Sequence, residues 1–353
     1  MPRTTAHRGS AIAVCVLGVT LLAFILWPGA VHASPSSRNV SVTSSAGPAP
    51  LVLGGGKYGL AGPAQVVSDG AHVWVANRTA NSVTEVNAAD GMWIRTLAGT
   101  RYGFDRPDAV SFDGTHLWVA NAFGDSVTEV DTSDGSPLRI LGGSAYGLHF
   151  PSAVTSDATD VWVTNFTTDS VTELSAVDGH LMRTVAGTAA DLSLPCAEAR
   201  SGPRVWIANC GSNSVTVLDS STGVRETTLS GGAFRFADPE AIAIDGTEVW
   251  VANGTGNSVT EVDGSTLHVI RVMGGTPYGF DDPSSIAIHG GQLWVVNCQG
   301  DSVTEVDAAT AVKVTTLAGP AYRFRIPWGG ASDGHGLWVA NSGGNSLTEI
   351  RWP

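Results

Sequence analysis

The chain has 353 residues, 43% of them hydrophobic and 14% charged, a balance found in folded globular proteins and not in disordered or fibrous ones. Of its 19 Lys and Arg, Arg3 and Arg8 fall in an N-terminal segment without acids; the other 17 face 32 Asp and Glu, a net charge of -15. Such a chain repels phosphate backbones and anionic lipid, and Lys57 and Lys313, its two lysines, belong to no basic run, so neither nucleic acid nor a membrane surface is expected as a partner.

Residues 1–33 read as a leader. Arg3, His7 and Arg8 precede an apolar run over 11–27, followed by Pro28 and the small-residue site Val31-His32-Ala33. This is the layout of a secretory signal peptide cleaved after Ala33; the 17-residue run also approaches the length of a membrane span, so a retained N-terminal anchor is the competing reading. Both readings export the rest of the chain, to the extracellular medium or the cell envelope. A Ser/Pro-rich tether follows over 34–45.

From residue 46 to the end the chain is one unit repeated seven times. Trp74, Trp118, Trp162, Trp206, Trp250, Trp294 and Trp338 recur at intervals of 44, each inside a phrase such as Val249-Trp250-Val251-Ala252-Asn253, and prolines keep the same register from Pro63 to Pro327. One unit holds four strand signals: 240–244 after Pro239, the doubly apolar tryptophan segment 249–252, the β-branched 258–262, and 268–273, separated by Asp-Gly and Gly-Gly turns. Four antiparallel strands repeated radially predict a seven-bladed β-propeller. An open solenoid is disfavoured by the termini: the last unit stops after its third strand, while 49–53 matches a fourth strand, so the N-terminal strand is expected to complete the last blade and close the ring.

The phrases Trp-Val-Ala-Asn, Asn-Ser-Val-Thr-Glu-Val-Asp and Pro-x-Ala-Ile-Ala-x-Asp-Gly resemble the repeat of the YVTN-type β-propellers, relatives of the NHL-repeat and streptogramin-lyase-like propellers. The resemblance covers 46–353 and departs from the family in having Trp where its name has Tyr and in a longer loop before each proline. It implies a scaffold, often exported, and no shared activity, so function has to come from the site.

Propeller ligands usually meet the face formed by the fourth-to-first and second-to-third strand loops. All five tyrosines, Tyr58, Tyr102, Tyr146, Tyr278 and Tyr322, occupy one position of the fourth-to-first loop, with Phe104 nearby and Phe234 and Ala190 in the two remaining copies. A ring of amphipathic aromatics suits a protein, peptide or glycan ligand; the competing reading is blade-to-blade packing. Arg235, Arg323 and Arg325 depart from the repeat in the same loops, as do Asp105, Asp238, Asp281, Asp282 and His149, making a mixed-charge rim of binding candidates or of solvated loop tips.

The fourth unit is the outlier. It carries Cys196, Glu198, Arg200 and Cys210, and Val217 where the other six have Glu. Cys196 begins its first strand and Cys210 ends its second, neighbouring ends of a hairpin, so a disulfide between them is expected. Glu198 and Arg200, two apart on one strand, are expected to form an ion pair near the axis. Cys298 sits in the position of Cys210 two units later.

No catalytic signature appears: no His-Glu-x-x-His, Gly-x-Ser-x-Gly, P-loop or Cys-x-x-Cys, and the Asp-Gly turns lack the carboxylate spacing of a calcium loop. The Asn that ends each tryptophan segment, followed four residues later by Asn or Asp, reads as a side-chain-capped loop. The reading favoured is an exported, non-catalytic, monomeric binding or scaffold propeller without metal or cofactor. A lyase or hydrolase resembling the streptogramin lyases is the second, with His149, Glu198 and Glu240 as its only acid and histidine candidates, and a membrane-anchored sensor or adhesion module the third.

Overall fold

The computed structural model describes residues 49–352, so the leader and tether readings lie outside the described residues. Within them, 28 strands form seven four-stranded antiparallel sheets. Blade 1 comprises Pro63–Ser68, His72–Asn77, Ser82–Asn87 and Trp93–Ala98, and the others follow in chain order. Blade 7 is Pro327–Ser332, Gly336–Asn341 and Ser346–Arg351, completed by Leu51–Gly54, which pairs antiparallel with Ser346–Arg351. The ring therefore closes through the N-terminal strand. That strand begins one residue after Pro50, whose missing N–H has no ladder bond to give.

Burial follows position across the blade. Every second strand is buried from its second residue onward because a neighbouring blade covers each of its faces, and six of the seven repeat tryptophans are at most 1% exposed. Outer strands such as Leu181–Ala186 and Lys313–Ala318 alternate, since one side meets solvent.

Two polar devices repeat around the ring. Asn77 Nδ2 donates to Thr84 Oγ1 at 2.9 Å, and its equivalents to Asn341 do the same to the corresponding threonines at 2.9–3.0 Å. The residue four positions on caps the next blade rather than its own loop. Asn81 Oδ1 accepts from Arg106 N, Asp125 from Phe150 N, and so on around the ring, ending with Asn345 Oδ1 accepting from Gly62 N at 2.8 Å across the closure. Those acceptor residues sit at positive φ, which Asn and Asp tolerate better than other side chains.

Third-strand glutamates sit opposite the tryptophans, all but Glu305 buried, and four reach an outer-strand arginine: Glu85 with Arg95, Glu129 with Arg139, Glu173 with Arg183 and Glu261 with Arg271. Blade 4 loses both partners together, pairing Val217 with Thr227, so the departure visible at Val217 is half of a two-residue replacement.

Candidate functional site

A β-bulge opens every blade. Pairing of first and second strands slips just after the leading proline, between Pro107 and Ala109 and between Pro195 and Ala197 for example. The bulged residue leaves the ladder and its side chain is turned toward the axis. Ala64, Asp108, Ser152, Cys196, Glu240, Ser284 and Trp328 fill this position, so seven nearly identical repeats carry six different side chains at one position.

Six of these, all but Ala64, line a cavity of about 160 Å³ together with Arg78, Glu198, Cys210 and Asp238. Arg78 is the one cation of the lining, against Asp108, Glu198, Asp238 and Glu240. Its Nε lies 2.7 Å from Asp108 Oδ1 and its guanidinium 4.7 Å from the Trp328 ring, so it is already paired and stacked. Burial lowers the Arg78 pKa, with Asp108 opposing. Arg106 shares Asp108 at 3.1 Å and lies over Phe123 (4.7 Å) and Phe150 (5.6 Å), which continues toward Phe166. An aromatic and cationic rim thus borders the cavity on the side of blades 2 and 3.

The opposite wall is acidic. Gly254 stands where Arg78 and Cys210 stand in their blades, and a Cβ there would meet Glu240 Oε1 at 2.8 Å and Asp282 Oδ1 at 2.9 Å, so both carboxylates crowd the same small space. Burial pushes Glu240 well above the usual carboxylate range, Asp282 and Asp238 push it further, and Arg78 opposes. Asp238 is raised by burial and by Asp282. Both oxygens of Glu240 and of Glu198 are sealed from solvent and accept no well-formed hydrogen bond. Burial drives Glu198 up to about 8, with the nearby Thr155 backbone opposing.

The disulfide between Cys196 and Cys210 is present, with Cα atoms 6.0 Å apart, and forms part of the cavity wall. Cys298 is fully buried. The ion pair expected between Glu198 and Arg200 does not form: Arg200 reaches across the seam to Asp157 (2.5 Å) and Asp160 (3.1 Å) of blade 3. A long arginine finds two carboxylates on the adjoining blade, while the short Glu198 stem stays at the axis.

Glu198 and Glu240 therefore share one cavity, but His149 is exposed in its loop and no histidine is among the lining residues. The tyrosines lie at the seams between blades. Tyr58, Tyr102 and Tyr278 donate through their hydroxyls to the carbonyls of Gly91, Gly135 and Ala311 in the turns of the following blade, and Tyr146 and Tyr322 pack against core clusters. Tyr102 stacks on Phe104 at 5.1 Å, as Tyr278 does on Phe280 and Tyr322 on Phe324 at 5.3 Å. Arg235 is exposed in its own loop, and Arg323 and Arg325 border a separate recess beside the closing strand, with Gly54 and Asn345.

Sequence reasoning missed Arg78, Arg106, Asp108, Ser284 and Trp328. A signal was present: the positions flanking each invariant proline, and the one after each invariant Asn, are where the repeats disagree most. The residue before each proline is also held at positive φ, Arg106, Phe150, Leu194, Asp238, Asp282 and Ile326 among them, an unfavourable conformation for such side chains and most of all for β-branched Ile326.

No group of three or more His, Cys, Asp or Glu among the described residues is arranged to hold a metal ion, and no helix among them is long and apolar enough to cross a membrane. No family model matches the sequence, the YVTN and NHL repeats included, and no curated protein matches it. Solved structures share the fold. Virginiamycin B lyase from Staphylococcus aureus is 16% identical with a TM-score of 0.71, covering 86% of this chain and 99% of that one; a catalytically inactive form of that lyase was solved with quinupristin. Kuenenia stuttgartiensis hydrazine synthase (17%, TM-score 0.69, 83% and 96% covered) and a chain of the mitotic checkpoint complex (17%, TM-score 0.70, 95% and 99% covered) are also similar. At these identities the likeness is one of fold alone.

Proposed function

We propose that the protein is an exported, non-catalytic binding propeller of the YVTN type whose ligand enters the axial cavity from the loop face. The observation that carries this reading is the concentration of repeat-to-repeat differences at the axis. The seven blades share one strand architecture and one set of Asn and Asp capping bonds; at the bulge they supply Asp108, Ser152, a disulfide, Glu240, Ser284 and Trp328 to a single cavity. A packed core has no use for unpartnered buried carboxylates, which destabilise the fold, whereas a ligand can satisfy them. Export is supported by the disulfide, which forms and persists in oxidising compartments.

The test is a thermal-shift screen of small polar compounds against the wild type and Trp328→Ala. Hits on the wild type that vanish in the variant support the axial cavity as the site. Hits that persist undiminished place binding elsewhere on the molecule.

A further inference from the structure

The charge and the unmet hydrogen-bonding capacity of the axial cavity define the class of molecule it takes. On the reading that this cavity is the binding site, we propose that its ligand is an organic cation, an ammonium- or amidinium-bearing molecule with a flat apolar part, whose N–H donors meet Glu240.

Three observations converge. The lining carries four carboxylates and one cation, and Arg78 is paired with Asp108 and stacked on Trp328, so the acids outnumber the positive charge and Glu240 has only a share of Arg78. Both carboxylate oxygens of Glu240 and of Glu198 are sealed and accept no well-formed hydrogen bond, leaving an acceptor array for an N–H-rich cation. The lining also holds the Trp328 ring, and the Phe150 and Phe166 rings pack behind the disulfide, surfaces suited to a flat or apolar body and to cation–π contact.

A bare metal ion fits less well. A cavity of about 160 Å³ exceeds the needs of an ion, and its acids are not grouped in a metal-holding arrangement.

Binding is coupled to a proton. Without ligand, burial and the neighbouring Asp282 and Asp238 favour the protonated form of Glu240, with Arg78 opposing and Asp108 and Glu198 completing the charged lining. An arriving ammonium forms an ion pair with the carboxylate, and the carboxyl proton leaves to solvent.

The experiment measures affinities by calorimetry from about pH 5.5 to 8.5 for benzylamine and benzamidine, with benzyl alcohol and benzoate as neutral and anionic counterparts and Mg2+ alone. Each is measured on the disulfide-intact wild type, Glu240→Gln and Trp328→Ala. Expected are cation affinities that rise up to about tenfold per pH unit on the wild type, with proton release, and that fall at least about tenfold and become flat in pH with Glu240→Gln. The wild-type pH profile stands without any variant. No binding of either cation, a flat wild-type profile, or Glu240→Gln binding as the wild type does overturns the proposal, as does Mg2+ binding with the Glu240 dependence while the amines do not. Should benzoate or benzyl alcohol bind best and lose affinity in Trp328→Ala, the cavity remains the site and the cation class falls. Should no probe respond to Trp328→Ala, both readings fall.

Discussion

Replacing Glu198 by Gln should stabilise the protein, and increasingly so as the pH rises. The side chain stem borders the cavity, but both carboxylate oxygens are sealed, and burial raises the carboxyl from 4.5 to about 8. Between these values the folded protein keeps a proton that the unfolded chain has released, so stability falls with pH and the loss is complete above about 8. A shift of roughly 3.5 units at about 1.4 kcal/mol each sets a ceiling near ~5 kcal/mol; the effective interior dielectric of about 20 reduces this to about 2–4 kcal/mol. Glutamine is nearly isosteric with the protonated acid and does not titrate. The difference in stability between Glu198→Gln and the wild type should therefore be near zero at about pH 4.5 and grow to its plateau by about pH 8.5, where it corresponds to about 4–8 °C in Tm at roughly 2 °C per kcal/mol for a domain of this size. Paired melts every half pH unit measure it. Glu173, raised to about 7, and Glu240 contribute slopes of the same sign to both proteins and cancel in the difference. A difference that is constant with pH, or that favours the wild type at the alkaline end, would refute the reasoning.

Further expectations follow from the ring and its seams. Cys196→Ser with Cys210→Ser opens a crosslink of sequence separation 14 and should cost about 3 kcal/mol, read from urea midpoints under non-reducing conditions. Removing residues 49–54 unpairs Ser346–Arg351 and takes the buried Leu53 out of the core, so Tm should fall by many degrees; an unchanged Tm would contradict the closure. Arg139→Thr leaves Glu129 buried beside no arginine and should cost about 2 kcal/mol at about pH 8, whereas adding Glu129→Val, which copies the Val217 and Thr227 pair of blade 4, should restore most of it in the same denaturation assay. Tyr102→Phe strands the Gly135 carbonyl at the seam and should lower stability by about 1–2 kcal/mol.

How far the sequence could be read depended on what each residue answers to. The blades were legible because strand burial repeats with the chain: Trp250 and Val251 are apolar on both faces wherever a blade stands on each side, and the Cys196 to Cys210 link follows from hairpin ends that must be neighbours. The site was legible only in part. Glu198 and Glu240 stood out as departures from the repeat, but Asp108, Ser284 and Trp328 look like ordinary strand residues, because alternation along a strand cannot reveal a bulge that turns one residue out of register. Arg200 misled for a related reason: two-residue spacing put it beside Glu198, while its length let it answer to Asp157 and Asp160 of another blade.

By itself, then, the sequence determined the seven blades, the strand that closes them and the disulfide, since each rests on local periodicity, counting or adjacency in the chain. Only the tertiary structure decided which side chains meet at the axis. Residues as far apart as Arg78 and Trp328 become neighbours through the curvature of the ring and the bulge after each proline, and strand alternation along the chain records neither.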